Sequence, residues 1–469
     1  MFEPSVYSGR RRALVAALAS RGALDGLVAF PGNNDSPVNY PDNAYRFRQD
    51  SCFLYYFGLA EPGLAAAIDL GTGRATLYAD ALTIDDLVWT GPRPGVDEYR
   101  ALCGADAVKP RSAFGTDLAA ARGRCLFTPP YRADAAIELG EALGIAPGAL
   151  SAAASNALVT SVVAQREIKE DRELADIERA VDVTIDMHRA VLAAARPGVT
   201  EAAMMAEAYR VAYAGGGMPA FPAIATTKGS VLHNHGYPGT LTSGGLFLLD
   251  AGAETVEGYA GDLTSTFPIG GRYDDRQRAV YDIVLRAGEA CSSMMAPGVP
   301  YRDCHLAAAR AIAEGLSGLG VMRGDVDEAV AAGAHSCFFP HGVGHQMGLD
   351  VHDMENLGEV NVGYDGQPKS AEFGLKSLRL AKPLKAGLVV TVEPGVYFIE
   401  GLIAAWKAEK RHASFINYAE AEQWLPVGGI RNEEDWVVVD GKGGGVGSGA
   451  RRLGKPFDKS AAAMEGYRA

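Results

Sequence analysis

FFPHGVGHQMGLDVHD, residues 338–353, is the densest piece of chemistry in the chain: it places His341, His345 and His352 within twelve positions, between single glycines and beside acids. Opened by Pro340 and too short for an ordinary helix, it reads as a loop that presents imidazoles toward a shared centre. The chain has nine histidines in all, so three in one loop are hard to attribute to chance. Neutral imidazole is both a common metal ligand and a common proton carrier, and the loop therefore raises the question of where its carboxylate partners stand.

Four apolar strand-like runs supply them. LFLLDAG ends in Asp250, and GYAGDLTSTFP carries Asp262 on the face of Thr264 and Thr266. LVVTVEPG puts Glu393 on the face of Val389 and Thr391. In GIRNEEDWVVV a period of two places Arg431, Glu433 and Asp435 on one face and Glu434 and Trp436 on the other. An acid at the end of a very apolar strand is costly to bury unless it is paired or binds a metal. One imidazole and four carboxylates form a hard, oxygen-rich set suited to Mn, Fe, Co or Zn in a paired site. Two divalent ions would cancel four negative charges. Such a pair, about 3.5–4 Å apart, can activate water and polarise a carbonyl together, the usual arrangement for metal-assisted hydrolysis.

At 469 residues the chain is long enough for two or more domains and a core that needs no staples. Apolar content of 48% and charged content of 22% are those of a soluble globular protein. The formal charge of −13 argues against a nucleic-acid surface. No two of the six cysteines form a C-x-x-C pair, so neither a zinc ribbon nor a disulfide framework is expected and a reducing cytoplasm is the default. Arg10-Arg11-Arg12 before ALVAALAS resembles a secretory start, but the apolar run stops at Arg21 and reads better as an amphipathic first helix with Leu14 and Leu18 inward. No uninterrupted apolar stretch of about 18 residues appears, so no membrane span is expected.

Residues 1–160 alternate short apolar runs (LDGLVAF, LAAAIDL, RATLYA) with Ala-rich segments and predict an α/β domain. Within it RFRQDSCFLYYFGLAEPG, residues 46–63, reads as an aromatic strand and turn, and Ala146 to Thr160 as a helix and boundary. A second domain takes residues 161–469. It opens with an amphipathic helix from about Lys169 to Ala195, on whose apolar stripe His188 reads as a packed core residue. Ile403 to Leu425 reads as a helical insertion. The chain beyond Asp440, beginning GKGGGVGSG, reads as a flexible tail.

With these pieces in order, the chain resembles the pita-bread metallopeptidases and, within them, the proline-specific branch of prolidase (Xaa-Pro dipeptidase) and aminopeptidase P. The likeness runs from RFRQDS and AEPG through VLH (Val231 to His233), LLDAGAE, GDLTSTFP, PHGVGHQMGLDVHD, LRLAKPLKAGLVVTVEPGVYF and GIRNEEDWVVV. It implies an N-terminal α/β domain followed by a C-terminal pita-bread catalytic domain of α+β type, and hydrolysis of the Xaa-Pro bond at a dinuclear metal site. By that resemblance Asp250, Asp262, His345, Glu393 and Glu433 would be the metal ligands, with Asp262 and Glu433 bridging two divalent ions, usually Mn2+. His352 would stabilise the tetrahedral intermediate, His341 would help hold the substrate, and His233 would contact the proline side. Arg431 would order Glu433 and the substrate end.

Two departures from the family pattern matter. The spacing from Asp250 to Asp262 is one residue longer than expected, which predicts a bulge or a longer turn within Ala253 to Gly261. Ser265 stands where aminopeptidase P tends to have an Arg. Arg379 in SLRLAKPLKAG stands five positions before Leu384, as in prolidase-like sequences. With the helical insertion, these features lean toward a dipeptidase that grips a free C-terminal carboxylate through Arg379. Aminopeptidase P acting on longer peptides is the alternative. A peptide-binding protein of this fold without metal ligands, or a metal-free hydrolase resembling creatinase, fits poorly with a complete ligand set. The expected partners are small proline-containing peptides, with no nucleic acid and no membrane. The expected form is a cytoplasmic homodimer or larger homo-oligomer whose N-terminal domain narrows access to the site.

Overall fold

The computed structural model describes residues 1–441 and 449–467. The chain divides into two compact units, one of Met1–Arg166 with Met354–Val362 and one of Glu167–Asp353 with Gly363–Ala469. A boundary at residue 160 would cut the helix Asn156–Arg166, and the division falls at that helix's end.

The first unit is built on a five-stranded mixed sheet. Leu27–Pro31 pairs antiparallel with Ala65–Asp69 and parallel with Cys125–Leu126, and Ala75–Tyr78 and Ala107–Lys109 follow beyond Ala65–Asp69. Three of these strands are the apolar runs picked out above. Small residues such as Ala65 and Ala67 on the sheet let Phe114, Leu118, Leu139 and Leu143 close over it as one core. In the first helix, Pro4–Ser20, Leu14 and Leu18 are buried, and so are Arg10 and Arg11.

The segment read as an aromatic strand is instead a helix, Ser51–Phe57, with every residue buried. Asp50 caps its start by accepting the Phe53 N–H at 2.8 Å. Gly58, at φ 70°, ends it with its N–H on the Leu54 carbonyl. A run that is apolar on every face fits a buried helix as well as a buried strand, so periodicity could not separate the two and the caps decide. Ala146 to Thr160 is likewise broken, into a 3-10 turn Pro147–Ala149, a short helix Leu150–Ala153 and the start of Asn156–Arg166. Among the described residues no single helix is long and apolar enough to cross a membrane; only Pro147–Ala153 with Asn156–Arg166, bent by 67°, qualifies as a pair by length and composition.

In the second unit, short antiparallel strands are backed by helices. Asp171–Ala194 starts at a capping box of Glu170 and Glu173 and buries Ile177, Val181, Ile185, His188 and Leu192 along one stripe. His188 is a core residue, with Nδ1 2.9 Å from Ser265 Oγ and Nε2 3.1 Å from the Ala251 carbonyl. Ile224–Thr226, Leu246–Ala251 and Leu263–Pro268 form one sheet, and Val389–Val392, Glu434–Val438 and Ala450–Arg452 another, while Gly395–Tyr397 pairs with Gly429–Arg431. Leu246–Ala251 and Leu263–Pro268 pair residue for residue, Asp250 opposite Thr264. The extra length between Asp250 and Asp262 therefore goes into a turn rather than a ladder bulge. In that turn Thr255 N–H donates to the Tyr259 carbonyl at 2.9 Å, and Ala253–Glu254 pairs with Met218–Pro219.

Ile403 to Leu425 lies within two short helices, Glu400–Ala408 and Tyr418–Gln423, and the turns after each. The predicted tail needs correction. Residues 442–448 of GKGGGVGSG lie outside the described residues, but Ala450–Arg452 is a sheet strand and Ala461–Gly466 a helix. The Gly-rich composition masked three apolar anchors, Leu453, Phe457 and Met464, all buried.

Candidate active site

The strands of the second unit end where their acids begin. Asp250 is the last residue but one of the strand Leu246–Ala251, and Asp262 stands one residue before Leu263–Pro268. Glu393 follows Val389–Val392, and Glu433 sits in the break between Gly429–Arg431 and Glu434–Val438. His345 comes from the irregular stretch 338–353. Its backbone N–H donates to Thr391 Oγ1 at 3.2 Å, and its carbonyl accepts the Thr391 N–H at 3.0 Å, so the loop is laced to the strand that precedes Glu393.

Ligand atoms of Asp262, His345 and Glu433 lie within 4.8 Å of one another, and all three residues are buried. His345 Nε2 is 3.5 Å from Asp262 Oδ2 and 3.8 Å from Glu393 Oε1. Its Nδ1 is 3.0 Å from the Gln346 carbonyl. A carbonyl only accepts, so Nδ1 carries the proton and Nε2 turns a lone pair toward the acids, the tautomer a metal ligand needs. Asp262 Oδ1 is buried without a hydrogen-bond partner among the described residues. Carboxylates, a lone pair and an orphaned oxygen aimed at one point repel one another; a divalent cation there would satisfy all of them.

The electrostatics agree. Burial pushes the Asp262, Glu393 and Glu433 carboxyls well above the usual carboxylate range, and neighbouring acids add to it: Asp250 and Glu393 at Asp262, Glu433 at Glu393, Asp262 and Asp250 at Glu433. Arg431 opposes the rise in all three. Asp435 is also fully buried and raised, mainly by burial and then by Asp262, while its Oδ2 accepts the Asp262 backbone N–H at 2.9 Å.

Arg431 braces the cluster with its whole fork. Nη2 donates to Asp250 Oδ2 at 2.5 Å, Nε to Thr264 Oγ1 at 3.1 Å and Nη1 to the Tyr397 hydroxyl at 2.9 Å. The Thr264 hydroxyl then donates to Glu433 Oε2 at 2.7 Å. Arg431 thus grips Asp250 directly and orders Glu433 through Thr264. The Tyr397 hydroxyl also lies 2.9 Å from His341 Nε2, while His341 Nδ1 faces the Gly342 carbonyl at 2.8 Å. The carbonyl again fixes the proton on Nδ1, so Nε2 accepts from Tyr397. Burial, then Arg431, drives the His341 pKa down to about 3, and burial lifts the Tyr397 hydroxyl to about 12. Both groups stay neutral over the physiological range.

His352 stacks on His345, ring centroids 3.8 Å apart at 27°. His233 lies on an exposed loop, with its ring 6.2 Å from that of His235. Its pKa is lowered, first by partial burial and then by the charge of Arg431, with Asp250 acting in the opposite sense. Arg379, half-buried, acts electrostatically on both His233 and Glu393. His233, His341, Arg379 and Arg431 thus lie within electrostatic reach of the acids, and His352 is linked to them through its stack on His345.

Three contributors were not assigned from the sequence. Thr264 and Tyr397 stand inside the motifs GDLTSTFP and VEPGVYF, and their place beside the acids was the available signal. Lys459 gave none, because it lies in the stretch read as a tail; its Nζ donates to the carbonyls of Thr264 at 3.0 Å and Glu433 at 2.5 Å.

Known proteins match this chain along nearly its whole length. Residues 7–127 match the family described as aminopeptidase P, N-terminal domain, and residues 175–440 match metallopeptidase family M24. Human Xaa-Pro dipeptidase is 31% identical over 450 residues, covering 93% of this chain and 89% of that protein. A protein named probable Xaa-Pro aminopeptidase from Metarhizium robertsii is 28% identical over 419 residues, covering 89% of this chain and 88% of that protein. Among solved structures, Escherichia coli aminopeptidase P with the inhibitor Pro-Leu is similar at TM-score 0.80 and 27% identity, covering 100% of this chain and 98% of that chain.

Proposed function

The chain belongs to metallopeptidase family M24, and from that premise we propose that it hydrolyses Xaa-Pro peptide bonds with two divalent metal ions and prefers dipeptides. The observation that carries the reading is the convergence of Asp262, His345 and Glu433 on one point, with Glu393 and Asp250 beside them. Asp250, Asp262, Glu393, Glu433 and Asp435 bring five negative charges when ionised, and the buried cations Arg431 and Lys459 offset two. One divalent ion would not cancel the remainder, which supports a pair that Asp250, Asp262, His345, Glu393 and Glu433 would hold. Bound divalent ions would supply Lewis-acid polarisation of the scissile carbonyl and a water nucleophile near neutral pH, and Mn2+ suits this oxygen-rich set.

The chain's own residues bind and orient. His352, held flat on His345, is placed to donate to the oxygen that gains charge in the transition state. His341, neutral and with both ring nitrogens engaged, forms a fixed wall. His233 is proposed to meet the proline side. Ser265 is buried and bonded to His188, so it faces the core, and the dipeptide preference rests on Arg379 and the helical insertion Ile403 to Leu425. A guanidinium grips a free carboxylate with two parallel hydrogen bonds, and only a dipeptide ends in one just beyond the proline.

The test compares kcat/KM for a Xaa-Pro dipeptide and a Xaa-Pro-Yaa tripeptide with Mn2+, and the dipeptide is expected to be the better substrate. A preference for the tripeptide would instead support aminopeptidase P activity, a reading favoured by the full-length likeness to the Escherichia coli structure. Six free thiols suit a reducing cytoplasm. A homodimer or larger homo-oligomer is supported by the exposed apolar side chains Ile84, Val88 and Trp89 on the helix Ile84–Thr90. Light scattering tests it, and a fully active monomer would refute it.

A further inference from the structure

We propose that the buried ion pair Lys169–Asp353 is a positioning device for His352, one that sets transition-state stabilisation without contributing to metal binding. The inference rests on the role given to His352 above. Lys169 Nζ lies 2.7 Å from Asp353 Oδ2, and both side chains are 1% exposed. Burying such a pair is rarely worth its desolvation, and apolar replacements of similar size are often as stable. Stability therefore does not account for the pair, and what it holds in place becomes the question.

The loop that carries both imidazoles has two anchors. At the His345 end the anchor is the sheet: His345 exchanges hydrogen bonds with Thr391, and the Met347 N–H donates to the Val389 carbonyl at 3.1 Å. At the His352 end the anchor is Asp353, the next residue. Its N–H closes the loop on the Gln346 carbonyl at 2.9 Å, and its carboxylate meets Lys169. Lys169 is itself fixed, with its N–H on the Gly387 carbonyl at 2.9 Å. The intervening backbone is pressed against the pair: a Cβ on Gly348 would lie 2.6 Å from Asp353 Oδ2 and 2.9 Å from Lys169 Cε. Gly348 also donates to the Asp350 carbonyl and accepts the Ala260 N–H. Removing the pair would leave the His345 anchor intact and release the end that carries His352, so the 3.8 Å stacking of the two rings would no longer be enforced.

The variant is Lys169→Met with Asp353→Asn, which leaves neither charge buried alone. Metal content per chain, KM and the melting temperature should stay near wild type, while kcat falls about 10- to 100-fold, the scale of a catalytic group displaced by an ångström or less. Lys169→Arg, which keeps the cation, should retain most of the rate. In a His352→Ala background the pair replacement should cause no further loss. If the losses multiply, or if metal content falls with kcat, the pair does not act through His352 and the inference is overturned. An unchanged kcat in His352→Ala alone would refute the role of His352, and this inference with it. Should the double variant not fold, Lys169→Gln with Asp353→Asn, which keeps a polar pair but neither charge, carries the same cycle.

Discussion

In the first unit the buried Arg11 guanidinium is answered by its own chain, whereas in the second the buried acids face one another. Arg11 donates to the carbonyls of Tyr56 at 2.7 Å, Cys103 at 2.9 Å and Gly104 at 2.5 Å, with its guanidinium 4.9 Å above the Phe57 ring. Arg10 reaches the Tyr55 carbonyl and lies 3.9 Å over that residue's ring. Asp262, Glu393 and Glu433 instead raise one another's pKa and leave an oxygen without a partner. The nine histidines all fall in the second unit. A buried charge whose bonds are completed within the chain is structure. Buried charges of one sign with a bond left open point to a ligand.

The largest effect expected is from Glu393→Ala. It removes a proposed metal ligand and should abolish hydrolysis with the fold retained. It should also remove metal-dependent stability. Added Mn2+ ought to raise the melting temperature of the wild type, by the equivalent of about 2.7 kcal/mol at a hundredfold excess over Kd, and leave the variant unmoved. Full turnover by the variant, or an equal thermal shift in both proteins, would break the contrast between the units. The complementary substitution in the first unit is Arg11→Met, which strands the buried carbonyls of Tyr56 and Cys103 and the part-buried one of Gly104. At roughly 1–3 kcal/mol for each unsatisfied group, the first unit should lose several kcal/mol in denaturant unfolding, with metal content per chain unchanged. A loss of metal would show that Arg11 supports the site as well as its own unit.

Much of this contrast could be read from the sequence, for a physical reason. An acid that closes an apolar strand, as Asp250 and Glu393 do, is anomalous wherever it occurs, and the anomaly survives ignorance of the fold. The spacing of His341, His345 and His352 is a local property of one loop. The helix Ser51–Phe57 was hidden because an all-apolar run has no face. The C-terminal segment was hidden because the glycine run of GKGGGVGSG opens it and Leu453 and Phe457 stand beyond it as isolated apolar residues. That Arg431 reaches Asp250 and Thr264 rather than Glu433 follows from how two sheets meet, which no residue spacing encodes.

Arg379→Ala should have the next effect. Losing a hydrogen bond to a charged group costs roughly 1.5–3 kcal/mol, or about ten- to a hundredfold in kcat/KM. That loss should fall on Xaa-Pro dipeptides and spare tripeptides. Equal losses on both would mean that Arg379 tunes Glu393 rather than gripping the substrate.

The smallest effect separates the units by pH. Burial lowers the pKa of His188 and His305 to about 3 and of His335 to about 4. An unfolded histidine protonates near 6.5, so as pH falls below that value the unfolded chain takes up protons that the folded unit refuses. The stability these residues permit is complete above pH about 6.5 and drains away toward pH about 4, at up to about 1.4 kcal/mol per pH unit for each group. Asp262, Glu393 and Glu433 work the other way in metal-free protein: their raised pKa values mean that stability they cost at neutral pH returns on acidification. A bare pH titration would mix the two. His305→Leu isolates the histidine effect, because His305 is fully buried with neither ring nitrogen bonded among the described residues. Peptide-resolved hydrogen exchange on metal-free protein between pH 7.5 and 5 should show the variant's second unit losing less protection than the wild type's, by about one proton's worth, with the first unit unchanged. An identical pH response in variant and wild type would mean that His305 is hydrated in solution and does not belong to the group of buried, refused protons.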